Sequence, residues 1–272
     1  MAQFNDLPLE LLPVILSFIP NPRSLTRTCL VNKIFYQFAI PKLYERISMY
    51  AWHKHGKERV IQLFIVLAEY PRLAEHVRRL EIRDFPKSIS FGTDPTSIVI
   101  RALSHCTNLR SCTWTRDGSL NTEILQALST CCKELEELEI NGHSEGNYDP
   151  NVLLGFARLK KIGLIMPGGG LIRHTLGNWI GRVGETLRHL SLVCKMSPKV
   201  TDQLLENLSP SLCNLDYFYI TGCPKVTERG ITAVLSANET GIEGLGLEGL
   251  APKFHMANFR INTTLSFVVF VH

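Results

Sequence analysis

Leu135-Glu136-Glu137-Leu138-Glu139-Ile140 returns in altered form as Leu187-Arg188-His189-Leu190-Ser191-Leu192 and again as Leu215-Asp216-Tyr217-Phe218-Tyr219-Ile220. The shared frame is an LxxLxL line whose last apolar residues stand two apart, the alternation of a strand with one buried face. Weaker copies begin at Val77 (Leu80, Ile82), Leu109 (Cys112, Trp114), Leu159 (Ile162, Leu164) and Ile242 (Leu245, Leu247). From 109 onward the copies start at 109, 135, 159, 187, 215 and 242. A spacing of roughly 20–29 residues marks a strand-and-helix unit that stacks on copies of itself. Each line is followed by a turn and a helical stretch, over 97–104, 120–129, 149–156, 171–183, 202–208 and 228–236. In the third of these Asp149 is placed to cap and Pro150 to open the helix.

The fold class is therefore α/β. Residues 77–250 form about seven leucine-rich repeats in a right-handed solenoid, with a parallel sheet on the concave face and helices outside. Cys194 to Asp202 and Cys223 to Glu228 resemble the cysteine-containing subtype of these repeats. Strand alternation sends Leu190 and Leu192 inward, so His189, Ser191 and Val193 face the concave side. The same register places Arg79, Glu81 and Arg83 there, then Ser111, Thr113 and Thr115, and then Glu137, Glu139 and Asn141. Lys161, Gly163 and Ile165 follow, with Tyr217, Tyr219 and Thr221 and finally Gly244, Gly246 and Glu248. Tyr217 and Tyr219 are residues of the kind that anchor interfaces, and they can equally well cover neighbouring strands. With Glu137, Glu139, Lys161 and His189 they form the candidate substrate-binding set, on a wall whose charge changes sign along its length. The acidic pair also reads as a solvated face.

Composition sets the outer bounds. The chain of 272 residues is 45% apolar with a net charge of +4, and its charges are interspersed rather than blocked, so no nucleic-acid footprint is expected. Cys29, Cys106, Cys112, Cys131, Cys132, Cys194, Cys213 and Cys223 contain no CxxC pair, which leaves a zinc or redox site without support. Several recur at similar repeat positions, as small buried side chains in a reducing compartment do. The start lacks the pattern of a signal peptide and no apolar run reaches membrane-spanning length. A soluble cytoplasmic or nuclear protein with no membrane partner is the expectation.

Residues 4–48 do not follow the repeat. Asp6 is placed to cap a helix with Pro8 in its first turn, and Leu11, Leu12, Ile15, Leu16 and Ile19 form its apolar stripe. Pro20-Asn21-Pro22 ends it. A second helix runs from Ser24 to Leu30, and a third from Lys33 to Ala39, before Pro41. Three such short helices make too small a core to stand alone, so their leftover apolar surface must be covered. The line Leu7-Pro8-x-Glu10-Leu11-Leu12, Ile15-Leu16, Ile19-Pro20, Leu25, Leu30-Val31-Asn32-Lys33, Phe35-Tyr36, Ala39 and Pro41-x-Leu43-Tyr44 to Ile47 resembles an F-box, and its extension from Pro41 to Ile47 is similar to fungal F-box proteins.

That resemblance, to fungal-type F-box/leucine-rich-repeat proteins, implies a three-helix F-box at 4–48 and a receptor subunit of an SCF ubiquitin ligase. The F-box would dock a Skp-family adaptor, and through it a cullin, by Leu7, Pro8, Ile15, Leu16, Leu25, Val31 and Phe35. Glu10 matches a position that orders the first helix. Pro13 departs from the pattern, since inside the expected first helix it removes an amide donor and kinks the axis. The repeats would hold a protein substrate, and catalysis would be recruited, so no enzyme activity, cofactor or metal is implied. Three other readings of the same chain stay open. One is an interaction scaffold outside any ligase, with or without the adaptor, and another is a repeat protein whose helices are only a structural cap. The last is an enzyme hidden in the repeats, against which the missing catalytic constellations weigh.

Residues 49–76 read as a helical linker, with Val60, Leu63, Phe64, Leu67 and Ala68 on one face and Pro71 as the stop. Signals for chemistry fail one by one. Gly168-Gly169-Gly170 has no Lys-Ser/Thr after it and sits where a strand turns into a helix. Alternation separates Glu136 from Glu137 and Glu139, so no acid/base pair is implied. His53, His55, His105, His143, His174 and His189 lack ligand spacing. Residues 251–272 leave the repeat and end on an apolar run from Leu265 to Val271. That tail reads as a cap, a last strand on the open sheet edge, an aggregation hazard, or a gene model run into noncoding sequence.

Overall fold

The computed structural model describes residues 8–50, 55–85, 95–239, 241–252, 254 and 267–271. Nine parallel strands pair in chain order, each with the next: β1 (Arg46–Met49), β2 (Arg79–Ile82), β3 (Ser111–Trp114), β4 (Glu137–Asn141), β5 (Lys161–Ile165), β6 (His189–Val193), β7 (Tyr217–Thr221), β8 (Gly244–Glu248) and β9 (Phe267–Val271). Sequential order with parallel pairing requires a crossover after every strand. The crossovers carry α4 (Gly56–Glu69), α5 (Pro71–Ala74), α6 (Pro95–His105), α7 (Thr122–Cys131), α8 (Leu176–Val183), α9 (Asp202–Leu208) and α10 (Glu228–Ser236). The architecture is an α/β solenoid, with helices stacked against one side of the sheet.

The apolar positions of the LxxLxL line build one continuous core. Leu80, Ile82, Cys112, Trp114, Leu138, Ile140, Ile162, Leu164, Leu190, Leu192, Phe218, Ile220, Leu245 and Leu247 are all buried between sheet and helices. At its N-terminal end Phe64 of α4 stacks on Trp114 with ring centroids 5.7 Å apart, and Phe85 lies 5.0 Å from Trp114. The Trp114 indole finds its partner in the Ser119 hydroxyl at 3.0 Å. Polar staples join the repeats where a helix starts or ends. Asp202 accepts from the Thr227 amide and hydroxyl, both at 2.7 Å, and from the Gly230 amide at 3.1 Å. Asn238, 1% exposed, accepts from Leu215 N and donates to the carbonyls of Leu212 and Val234.

Two helical segments and one strand differ from expectation. The stretch at 149–156 is a 3-10 helix, Pro150–Gly155, capped by Asp149 as expected. It lies in the most closely spaced pair of repeats, and the longer rise of a 3-10 helix spans the same height with fewer residues. The stretch at 171–183 opens as a π-turn, Leu171–Thr175, before α8. β1 was not anticipated: it falls at the end of the N-terminal segment, across the expected boundary between 48 and 49, and pairs in register with β2.

The N-terminal segment holds a 3-10 turn (Leu9–Leu11), α1 (Leu12–Ser17), α2 (Pro22–Cys29) and α3 (Lys33–Glu45). Asn21 and Asn32 cap α2 and α3 through their side-chain oxygens. Two expectations need correcting. Pro13 lies in the first turn of α1, where its missing N–H has no intrahelical acceptor to lose, so it opens the helix and does not interrupt it. Pro41 does not end the third helix: α3 continues through it to Glu45. Tyr44, beyond the proline, packs against the solenoid core and offsets the helix-breaking penalty. The expected cap Asp6 lies outside the described residues.

Candidate functional site: the open sheet face and the N-terminal apolar face

With the inner rows buried, the outer rows lie on the opposite face in register, half-buried to exposed except at Gly163, Gly244 and Gly246, which neighbouring side chains cover. Arg46, Arg79, Ser111, Glu137, Lys161, His189, Tyr217 and Gly244 form the row at the strand starts. Ser48, Glu81, Thr113, Glu139, Gly163, Ser191, Tyr219 and Gly246 form the row two residues on. All six residues expected on the wall are therefore on one face, in neighbouring strands. The outermost position departs from alternation at Asn141, which is buried: its side chain donates to the Thr115 carbonyl and accepts from His143 N.

At the N-terminal end the face is a polar network centred on Glu81. Its carboxylate accepts from Ser48 Oγ at 3.0 Å, Tyr50 OH at 3.0 Å and Arg83 Nε at 2.7 Å. Burial pushes this carboxyl up, but the bonds from Arg83, Ser48 and Tyr50 outweigh it and hold it below the usual carboxylate value. Arg83 then reaches over to Glu139 at 3.6 Å, while Glu137 accepts from Ser111 Oγ at 2.8 Å. Both members of the acidic pair are thus engaged within the wall.

The other half is aromatic. The His189 imidazole stacks on the Tyr217 ring at 4.2 Å and 18°. Partial burial, with Lys161 beside it, holds the His189 pKa below its ordinary value, so the neutral ring is favoured. Tyr217 and Tyr219 each lie over a glycine of β8, and a β-carbon at Gly244 or Gly246 would overlap the ring above it. Tyr219 OH and Thr221 Oγ1 both donate to Glu248 Oε2 at 3.1 Å. The tyrosines do cover the neighbouring strand, and Tyr217 keeps 39% of its surface open.

The glycine run is occupied from within the chain. The Gly170 amide donates to Glu145 Oε1 at 2.8 Å, and that bond lowers the Glu145 pKa. Among the described residues no group of three or more His, Cys, Asp or Glu side chains has metal-binding geometry. No helix among them is long and apolar enough to cross a membrane.

A second surface lies on the N-terminal helices. Leu12, Leu16, Leu25 and Ala39 are their only fully buried apolar residues among those described, and none belongs to the solenoid core. Outside stand Leu9, Leu11, Val14, Ile15, Phe18, Leu30, Val31, Ile34 and Tyr36. Thirteen large apolar side chains are well exposed among the described residues, and these nine are among them. Of the seven expected adaptor contacts, Pro8, Ile15 and Val31 are exposed and Phe35 is half-buried, while Leu16 and Leu25 face the interior between the helices. Leu7 lies outside the described residues. Phe18 at 79% and Leu30 at 81% exposure were not among the expected contacts, although Leu30 stands in the motif line and the smallness of the helical core was the signal that apolar residues would be left over.

The family model described as F-box-like matches residues 4–50, so this surface belongs to an F-box-like domain. No curated protein sequence matches the chain. Among solved structures the chain is similar to one from the crystal structure of the Rad7 and Elc1 complex in yeast. The identity is 13% and the TM-score 0.42, and the alignment covers 90% of this chain and 67% of that one.

Proposed function

We propose that this chain is the substrate-recognition subunit of an SCF-type ubiquitin ligase, a fungal-type F-box/leucine-rich-repeat receptor that does no chemistry itself. The observation that carries this reading is the concentration of exposed apolar side chains on helices that match the F-box-like model. In water such a patch marks a surface built to be covered, and a Skp-family adaptor is the partner its family match supports. The open sheet face would then hold a protein cargo, with His189, Tyr217 and Tyr219 as anchors and Glu137, Glu139 and Lys161 setting its charge. Work inside a cullin complex places the protein in the cytoplasm or nucleus in this reading.

Co-expression with a tagged Skp-family adaptor and a cullin tests it. Wild type is expected to be captured by the adaptor and to bring the cullin with it. Phe18→Glu/Val31→Glu is expected to lose capture at unchanged helical content, because both side chains are exposed and their replacement leaves the fold intact. Absence of wild-type capture overturns the reading. Capture by the adaptor without cullin would leave a scaffold outside any ligase.

A further inference from the structure

Just past the last step of the β6–β7 ladder, two thiols from neighbouring repeats meet. Strand alternation carries Cys194 inward behind Leu190 and Leu192, and the same rule would send Cys223 to the face opposite Phe218 and Ile220. Gly222 breaks the alternation with a φ of +65°, and Cys223 is fully buried while Cys194 is 8% exposed. The backbone holds the two together. Cys194 N donates to the Thr221 carbonyl at 2.8 Å, and Ser197 N donates to the Gly222 carbonyl at 2.9 Å. A β-carbon on Gly222 would overlap the Cys194 carbonyl. The Cys223 thiol reaches the Thr221 carbonyl at 3.4 Å and also hydrogen-bonds the Cys194 sulfur. Strands about 4.8 Å apart, with the two residues one step out of register, leave the α-carbons about 6 Å apart, within the range that a disulfide bridges. Both cysteines are free thiols.

We propose that Cys194 and Cys223 form a reversible redox clamp between adjacent repeats, closed by a hydroperoxide and opened by a thiol reductant. Cys194 is the attacking sulfur. The hydrogen bond from Cys223, with Lys199 nearby, holds its pKa below the ordinary thiol value against the opposing effect of burial. Burial instead pushes Cys106 and Cys112 up to about 12, where the thiol is inert. The Cys194 thiolate takes one oxygen from the peroxide, the O–O bond breaks, and a first water leaves. While Cys194 is anionic, Cys223 is held protonated. That hold ends once Cys194 is a sulfenic acid. The Cys223 sulfur then attacks the Cys194 sulfur, the S–O bond breaks, and the hydroxide leaves as a second water with the Cys223 proton. Two thiols have lost two electrons and one peroxide has become two waters. The bridge closes a loop that contains α9 and β7, the strand of Tyr217 and Tyr219, and so restrains the aromatic half of the wall. Such transient bridges are what a reducing compartment permits. The clamp needs neither adaptor nor cargo, so it and the receptor reading fail separately.

Hydrogen peroxide in small excess over the full chain, followed by alkylation and non-reducing peptide mapping, tests it. The expected product is one peptide pair, joined through Cys194 and Cys223, that has lost two hydrogens and is separated by dithiothreitol. The oxidised chain is expected to melt at least about 3 °C higher than the reduced one. Cys194→Ala and Cys223→Ala are each expected to give neither the joined pair nor the rise. Recovery of both cysteines as free thiols, or as separate higher oxides, in the wild-type chain overturns the proposal whether or not the variants fold. A bridge without the rise in melting overturns it too, since the two repeats would then be no more restrained than before. An equal rise in either variant assigns the effect to other cysteines and overturns it as well.

Discussion

Gly246 lies beneath the Tyr219 ring and Gly244 beneath Tyr217, and those contacts explain why β8 carries glycine at both positions. A methyl group at Gly246 has to displace a ring that is also tied through its hydroxyl to Glu248. Gly246→Ala is therefore expected to destabilise the chain by about 1–3 kcal/mol, the usual penalty for forcing volume into a packed place. It should also free the ring, visible as a loss of restraint in the tyrosine fluorescence anisotropy, with urea denaturation supplying the energy. The wider role of the glycines is to let the aromatic half of the wall lie flat. His189, Tyr217 and Gly244 form one row in which imidazole, phenol ring and bare backbone follow each other across three strands.

Among the elements, polar side chains that cross from one repeat to the next add to the register of helices already packed by their apolar faces. Asn238 follows α10, yet its side chain serves the backbone just ahead of β7. Asn238→Ala would leave Leu215 N and the Leu212 carbonyl without those partners inside the protein. At about 1–3 kcal/mol for each of the two buried groups stranded, a loss of about 2–6 kcal/mol is expected in urea melts, and Asn238→Asp should recover only part of it because the Leu212 carbonyl still lacks a donor. The helix expectations were accurate where a single α-helix fills the crossover, at 202–208 and 228–236. They were not where the crossover length changes. Apolar spacing does not distinguish three residues per turn from four over so short a span, so the 3-10 helix and the π-turn were hidden. The two prolines differ: Pro13 falls in a first turn where no intrahelical acceptor is lost, which depends on where the helix begins. Pro41 lies inside α3 and is tolerated because the residues beyond it pack on the core.

For the whole molecule, two bodies of unequal security share one chain. The solenoid has a continuous core from Ile47 to Leu247, while the N-terminal helices own four fully buried apolar residues and join it through α3 and β1. Hydrogen–deuterium exchange is expected to show amides of α1 and α2 opening at least roughly tenfold faster than those of β4 to β7. Adaptor binding should raise their protection, because a ligand that holds only the folded form stabilises it. Equal protection in the two parts would show that the helices are an integral cap.

Period, strand register and the outward rows, including Glu137, Glu139, Lys161, His189, Tyr217 and Tyr219, were legible in the one-dimensional text. Side-chain direction in a strand depends only on position, and the repeat supplies that position again and again. The F-box-like character of residues 4–50 was legible for a similar reason, as an ordered list of apolar residues at fixed offsets. The Glu81 network was not. It joins β1 to a strand more than thirty residues away, β1 carries no copy of the repeat line, and its bonds form only once the strands are side by side. Alternation tells a side chain which way to face; its neighbour across the ladder comes from chain closure, and charge balance is a property of neighbours.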